Sequence, residues 1–201
     1  IIGLGPPPCV TLPWVLSFTV LSSFMGVGLG MLAGVFKPVR ISIMPLLDIM
    51  QTMPAFVYLI PAIPFFGIGK VSAMVATVIF SVPPAIRLTC LGIRQTPVSL
   101  VECSEAFGAT RWQRLCKVEL PLAIKTIIAG INQTIMLSLS MAVIAAMIGA
   151  GGLGSEVWKA IQRMQIGNGF AAGLGIVIVA VTLDRLFQAL ARRVGHGGWD
   201  N

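Results

Sequence analysis

The chain has 201 residues, of which 56% are hydrophobic and 10% charged, and its formal net charge is +7 at pH 7. A soluble domain normally contains about 25% charged residues. The mean hydropathy of +0.93 points the same way, toward a membrane protein. In such a protein the location of positive charge matters more than its sum. We therefore predict contact with lipid and no nucleic-acid partner.

Five stretches are long and apolar enough to span a bilayer, which takes about 20 residues per helix. They cover residues 12–36, 41–66, 71–93, 126–149 and 164–183. We predict an all-α polytopic membrane fold in which residues 1–201 form a single transmembrane domain. The chain starts at Ile1 without a charged segment, so it does not begin like a signal peptide. We expect it to be a piece of a longer protein.

The first stretch carries glycines at four-residue spacing, Gly26, Gly30 and Gly34, and Gly169 and Gly173 repeat the spacing in the last. Small residues at this spacing let membrane helices approach closely. We favour packing within one subunit over a contact between two copies.

Prolines are frequent in the second and third stretches. They are Pro45, Pro54, Pro61, Pro64, Pro83 and Pro84. A membrane bundle tolerates prolines where neighbouring helices satisfy the freed carbonyls. We expect both of these spans to be kinked or broken.

Polar residues inside the predicted spans are costly in lipid and therefore informative. The candidates for lining a pathway are Asp48, Gln51, Tyr58, Arg87, Asn132 and Gln133. The simpler interpretation is hydrogen bonding between helices. Asp48 and Arg87 are expected to pair, as are Asp184 and Arg185. Tyr58 and Phe56 either pack as ordinary aromatics or flank a cationic ligand through cation–π attraction.

A charged segment follows the third span, and its first half reads as a helix. Thr96-Pro97 is a helix-start pattern, and Ser99-x-x-Glu102 is an alternative start two to three residues later. Gly108 suits the left-handed conformation that ends a helix.

The second half of the segment contains Thr110-x-x-Gln113, a capping-box pattern that predicts another short helix. We expect Pro121 to stop that helix before the fourth span. The result is a helix, a glycine turn and a helix, with Phe107 and Trp112 near the turn, suited to a groove on a cytoplasmic partner. The alternative is a basic loop held against anionic lipid by its charge.

The basic residues support a cytoplasmic position for this segment. With five spans, eleven of the fourteen fall inside and three outside, as the positive-inside rule expects. The inside set is Lys37, Arg40, Arg87, Arg94, Arg111, Arg114, Lys117, Lys125, Arg185, Arg192 and Arg193, and the outside set is Lys70, Lys159 and Arg163.

Several other patterns do not define sites. Residues 149–154 match G-x-G-x-x-G, but the strand and the acid that a dinucleotide site needs are missing, so we interpret them as an extracytoplasmic turn. Gly69-Lys70 is followed by Val71, where a phosphate loop needs serine or threonine. The four cysteines (Cys9, Cys90, Cys103 and Cys116) lack metal-site spacing, and His196 is the only histidine. We predict a non-enzyme with no metal or cofactor of its own.

The spacing from Glu102 to Gly108 and on to Val118-x-Leu120-Pro121 resembles the EAA loop of binding-protein-dependent ABC importer permeases, E-A-A-x3-G-x9-I-x-L-P. Cys103 and Ser104 replace the two alanines, and Val118 replaces the isoleucine. We predict a cytoplasmic coupling loop at 95–121. Its site residues are Glu102, Cys103, Ser104, Phe107, Gly108, Trp112, Val118, Leu120 and Pro121.

Further segments resemble the glycine betaine/proline betaine permeases. They include 48–61 with 66–69, 83–89, 130–134, 139–141, 151–154 and 183–185. The resemblance implies the type I importer fold in a bacterial inner membrane. It further implies a second permease copy, two ATPase subunits carrying ATP and Mg, and an extracytoplasmic substrate-binding protein. The substrate would be glycine betaine, proline betaine, choline or a related amino acid.

Two other classes of protein fit the sequence less well. An ion-coupled secondary transporter would account for broken helices and for the intramembrane Asp48 and Arg87, but no inverted repeat is visible in the sequence. A membrane hydrolase lacks a catalytic set of residues.

Overall fold

The computed structural model describes residues 7–145 and 153–196, and within these ranges the chain is helical with no strand. The helices are α1 (Pro7–Val35), α2 (Lys37–Thr52), α3 (Phe56–Phe66), α4 (Lys70–Arg94), α5 (Val98–Ala106), α6 (Arg111–Arg114), α7 (Leu120–Ala145), α8 (Leu153–Gln162) and α9 (Ile166–His196). A π-helical turn at Leu115–Glu119 joins α6 to α7. The predicted all-α fold is confirmed.

Helix α4 forms the centre of the bundle because apolar side chains cover it on several sides. Its first half packs with Leu59 of α3 and Met141 of α7. Its middle packs with Leu47 of α2. Its last turns pack with α1, with Leu115 of the π-helical turn and with Ile127 of α7.

Helices α1 and α4 run parallel, in close contact along a row of small residues. The Ser81 hydroxyl donates to the Ser22 hydroxyl at 3.0 Å. One turn further on, a Cβ on Gly26 would lie 2.4 Å from the Ala85 Cβ, and two turns further on, one on Gly30 would lie 2.6 Å from the Thr89 Cβ. These residues leave no room for a side chain, so the repeat at Gly26, Gly30 and Gly34 packs within one subunit, as predicted. Gly173, in the second repeat, has nothing within 4 Å of the position of a Cβ.

The second span is broken, as its prolines predict. Helices α2 and α3 meet at a bend of 99°, at a break that contains Pro54. Because α1 and α4 are parallel, the chain must return across the membrane between them. We therefore interpret α2 and α3 together as one broken span rather than a re-entrant loop. The third span, by contrast, runs unbroken from Lys70 to Arg94 through Pro83 and Pro84.

The fourth span begins earlier than predicted, and Pro121 does not stop the helix before it. A continuous 35-residue helical segment runs from Arg111 to Ala145. The Leu120 N–H bonds to the Leu115 carbonyl five residues earlier, in π-helical fashion. Pro121 thus lies inside a helical segment, where a proline removes one backbone hydrogen bond. It comes just after the π-helical turn, which already interrupts the regular hydrogen-bond ladder at this point.

The segment after α7 contains a helix that the sequence did not predict. The ten-residue α8 packs on α9, where a Cβ on Gly169 would contact the Ala160 Cβ at 3.4 Å. The backbone of α9 covers the fifth predicted span. By length and composition, the described residues supply three spanning helices plus the broken pair, and Ile166–Ile178 is a shorter apolar helix.

Candidate functional site

Helix α5 opens the candidate coupling loop, but neither predicted start pattern caps it. The helix begins at Val98, with Pro97 just outside it in an extended conformation (ψ 132°). The Thr96 N–H bonds back to the Ile93 carbonyl at 3.4 Å, so Thr96 belongs to the turn that ends α4. Its hydroxyl is buried without a partner, and Ser99 lies inside the helix.

Gly108 ends α5 in the left-handed conformation, as predicted, with φ of 74°. The Gly108 N–H bonds to the Glu105 carbonyl at 2.9 Å, and the Ala109 N–H bonds to the Ser104 carbonyl at 3.1 Å. These are the two hydrogen bonds of a Schellman motif, which closes the end of a helix. Glycine suits this position because it has no Cβ to penalise the left-handed conformation.

The predicted capping box at Thr110 is confirmed. The Gln113 N–H donates to the Thr110 hydroxyl at 3.4 Å, and the Thr110 N–H donates to the Gln113 side-chain oxygen at 2.8 Å. Two otherwise unpaired N–H groups are thereby satisfied. The chain therefore reverses direction within a few residues, and α6 starts where the sequence indicates.

The tip of this loop is strongly exposed. The side chain of Phe107 is 86% exposed and that of Trp112 is 67% exposed. Glu102, Cys103, Gly108 and Pro121 are also exposed, whereas Ser104, Val118 and Leu120 are half-buried. Large exposed aromatics beside charged residues are typical of a protein interface. The arrangement leaves the predicted coupling residues open to a partner, while their role remains a prediction.

Three residues that the sequence analysis did not single out hold the loop against the bundle. The Arg114 Nε donates to the Glu119 carboxylate at 2.7 Å, and the Arg114 Nη1 donates to the Glu105 carboxylate. Glu119 is buried. An acidic residue five positions after an arginine indicates a pair only if a π-helical turn is already known to lie between them.

Asp48 and Arg87, the pair expected from the sequence, do form an ion pair. The Arg87 Nη2 donates to the Asp48 carboxylate, joining α2 to α4. The side chains of Asp48 and Arg87 are 66% and 37% exposed, respectively. Gln51 lies one turn further along α2 and is exposed. Asp48, Gln51 and Arg87 therefore give the bundle a polar surface along α2, just before the break between α2 and α3.

The remaining pathway candidates lie elsewhere. The Tyr58 hydroxyl donates to the Met50 carbonyl, and its ring meets that of Phe80 edge-on at 5.4 Å between centroids. Tyr58 is thus a packed aromatic, while Phe56 is exposed. Asn132 and Gln133 lie on α7, and the Asn132 side-chain oxygen is buried without a hydrogen-bond partner. None of these contacts joins the three residues to the Asp48–Arg87 pair.

Other predicted features concern metals and the glycine-rich segment. Among the described residues, no group of three histidine, cysteine or acidic side chains could hold a metal ion. Cys90 is buried, Cys103 and Cys116 are exposed, and none of the three forms a disulfide. Of the predicted turn at 149–154, residues 149–152 lie outside what the structure describes, as does the side chain of Asp184. Leu153 and Gly154 are the first residues of α8, so the prediction is wrong for these two.

A parallel α1–α4 pair, a broken span and an exposed helical loop between two spans define a polytopic α-helical membrane protein. Residues 26–196 match the family described as "binding-protein-dependent transport system inner membrane component". The chain belongs to this family and is a multi-pass protein of the inner membrane.

Several curated relatives are similar along nearly the whole chain. The glycine betaine transport system permease protein OpuAB of Bacillus subtilis is 57% identical over 93% of this chain and 66% of its own length. The glycine betaine/carnitine permease GbuB of Listeria monocytogenes is 55% identical, over 91% and 65%. The glycine betaine/proline betaine permease ProW of Escherichia coli is 52% identical, over 95% and 54%. The chain thus spans about half to two thirds of the length of these relatives.

The fold also resembles solved structures of a transporter. An inward-facing MetNI methionine ABC transporter superposes with a TM-score of 0.75 at 25% identity, over 90% of this chain and 91% of that chain. A second crystal form of the same transporter gives a TM-score of 0.73. The type I ABC permease fold expected from the sequence is confirmed.

Proposed function

We propose that this chain is the transmembrane permease subunit of an ATP-driven importer of glycine betaine, proline betaine, choline or a similar quaternary amine. The observation that carries the proposal is the exposed loop α5–Gly108–α6, closed by a Schellman motif and a capping box and joined without a break to α7. Membership of the family and the names of the relatives support the class of solute.

In this proposal the chain catalyses no reaction and binds no cofactor. Two ATPase subunits carry ATP and Mg and dock on the loops of two permease copies, with Phe107 and Trp112 in the interface. Closure of the ATPases pushes the loops. The spans then open toward the outside, where a substrate-binding protein delivers the solute.

The same site in an importer of an amino acid is the nearest alternative, because the loop contacts the ATPase and not the solute. An ion-coupled secondary transporter is less well supported. The matched family is described as a component of binding-protein-dependent transport systems, and the fold resembles an ABC transporter; both favour the importer.

The test is uptake of labelled glycine betaine by proteoliposomes that hold the full-length permease, its ATPase and its binding protein, with the variant Gly108→Asp. We expect ATP-dependent uptake by the wild type and its loss in the variant, because a side chain at φ 74° distorts the loop tip. Less ATPase should co-purify with the variant.

Gly67→Asp is the control for backbone strain outside the loop. Gly67 has φ of 75° and ψ of 173°, a conformation that is essentially restricted to glycine, so an aspartate is strained there as well. Like Gly108 it has open space within 4 Å of the position that a Cβ would take, but it lies between α3 and α4 at the other end of the bundle. It should keep its ATPase. Normal uptake by Gly108→Asp at normal expression would contradict docking through the loop, and wild-type uptake that needs no ATP would contradict the importer. ATP-dependent uptake of another solute in place of glycine betaine would revise the substrate alone.

A further inference from the structure

Arg114 joins the exposed loop to the start of α7 through two carboxylates at once. One nitrogen of its guanidinium reaches Glu119 at the end of the π-helical turn, and another reaches Glu105 in the last turn of α5. A guanidinium suits this task because its donors form a rigid, permanently charged fork. The side chain is 22% exposed, so water competes only partly for these contacts.

The end of this tie at Glu119 is fixed in the bundle. The Glu119 side chain is 8% exposed, and a buried carboxylate is strongly destabilising without a partner. Leu115, at the other end of the π-helical turn, is 3% exposed and packs with Ile93, Ala123 and Ile127. A displacement of Arg114 would therefore displace Glu119 and the first turn of α7 with it.

The end at Glu105 belongs to a helix with little other anchorage. None of the residues of α5 is buried. A cavity of about 230 Å³ lies beneath the helix, between it and the ends of α1 and α4, with Val98, Val101 and Arg114 in its wall. Within the described ranges, Arg114–Glu105 is the one ion pair that joins α5 to another element. Helix α5 thus has room to move and one ionic tie.

The π-helical turn lies between the tie and the membrane span. Such turns interrupt the regular hydrogen-bond ladder and occur frequently at functional sites. Here the turn places residue 119 on the same side as residue 114, which a regular α-helix would not do for residues five apart. The turn also lets the helix continue past Pro121, which lies two residues after its end.

We propose that Arg114 is a positioning residue that transmits displacement of α5 to α7, with the π-helical turn as the hinge. Arg114 does this through Glu105 and Glu119, without contact with ATP or with the solute. The inference rests on the proposed function, because it presupposes that an ATPase moves α5.

The test uses the complete transporter in proteoliposomes and measures both ATP hydrolysis and solute uptake. Glu105→Gln removes the α5 half of the tie and leaves the buried Arg114–Glu119 pair in place. Arg114→Lys keeps the charge beside Glu119 but lacks the fork that reaches both carboxylates. Lys125→Gln, which removes an exposed charge from α7, is the control.

We expect both tie variants to co-purify with normal amounts of ATPase and to hydrolyse ATP. Solute taken up per ATP should fall about tenfold, within the usual range of coupling between sites. The control should match the wild type. A merely structural role would lower both rates together or reduce expression, leaving the ratio unchanged.

Two results would overturn the proposal while leaving the importer intact: a normal ratio of uptake to hydrolysis in both tie variants, or loss of the ATPase from Glu105→Gln, which would make Glu105 a docking residue. Wild-type uptake that is independent of ATP would overturn the importer and this inference together.

Discussion

At the scale of single residues, the Asp48–Arg87 pair shows how a charge is kept within the membrane. A single charged side chain at the centre of a bilayer costs about 2.5–3.5 kcal/mol on insertion scales. Pairing offsets part of that cost, yet both side chains keep substantial exposure. Their open side should therefore meet water or protein rather than lipid tails, as expected of a surface beside a transport pathway.

Removing either partner should destabilise the chain more than removing both. Asp48→Asn leaves Arg87 without its counter-charge, and Arg87→Gln does the same to Asp48, whereas the double variant leaves neither. We expect a coupling energy of about 1 kcal/mol, typical of polar contacts between membrane helices. Unfolding of the detergent-solubilised chain by increasing SDS measures it, and strictly additive effects would show that the pair contributes nothing.

At the scale of elements, the contact between α1 and α4 depends on small residues at every fourth position. The close approach places α4 in the centre of the bundle, with α2, α3 and α7 around it. Helices in lipid associate largely through van der Waals packing, so a small loss of packing between α1 and α4 directly lowers the stability of the bundle.

Gly30→Ala should therefore lower stability by about 1–3 kcal/mol, the usual cost of overpacking. The new Cβ would lie 2.6 Å from the Thr89 Cβ and 2.8 Å from the Ile86 carbonyl oxygen. Gly28→Ala, on the same helix with nothing within 4 Å, is the control. It should be neutral or slightly stabilising, because alanine favours helix over glycine. Equal SDS midpoints for the two variants would contradict the packing described.

At the scale of the whole molecule, one end of the bundle holds the end of α1, the end of α4 and the exposed loop. Lys37, Arg40, Arg94, Arg111, Arg114, Lys117 and Lys125 belong to elements that begin or end there. The positive-inside rule makes this end cytoplasmic. The turn between α3 and α4, with Ile68 75% exposed, lies at the opposite end.

Thiol labelling checks this orientation in a background that carries Cys9→Ala. An impermeant maleimide should label Cys103 and Cys116, both exposed, in inside-out vesicles from cells that express this chain by itself. Intact spheroplasts should show no labelling at these positions. Cys90 is buried and should react only after denaturation, and Ile68→Cys should react from the outside. Labelling of Cys103 in spheroplasts would reverse the orientation.

Much of this fold could be predicted because its signals are local. Apolar stretches located the spans, and Gly108 and Thr110 marked the ends of short helices. The prolines indicated a break in the second span but not its position, which is at Pro54. The tie at Arg114 could not be predicted, because its partner at Glu119 comes into reach only through a π-helical turn. The same turn explains why Pro121 does not stop the helix, as it was predicted to do. The predicted helix start at Thr96 was wrong because a capping residue must directly precede the first helical turn, and Pro97 lies between Thr96 and α5.

The row of contacts between α1 and α4 also limits which changes of chain length the gene can tolerate. Positions 22, 26, 30 and 34 face positions 81, 85, 89 and 93, and each pair is 59 residues apart. One residue added or removed inside α1 would rotate all later positions by about 100° around the helix axis and place large side chains in the contact between α1 and α4. In the exposed turn at Gly67–Gly69, the same insertion would only lengthen a loop. Variation in length among homologous chains should therefore collect in that turn and be absent from α1.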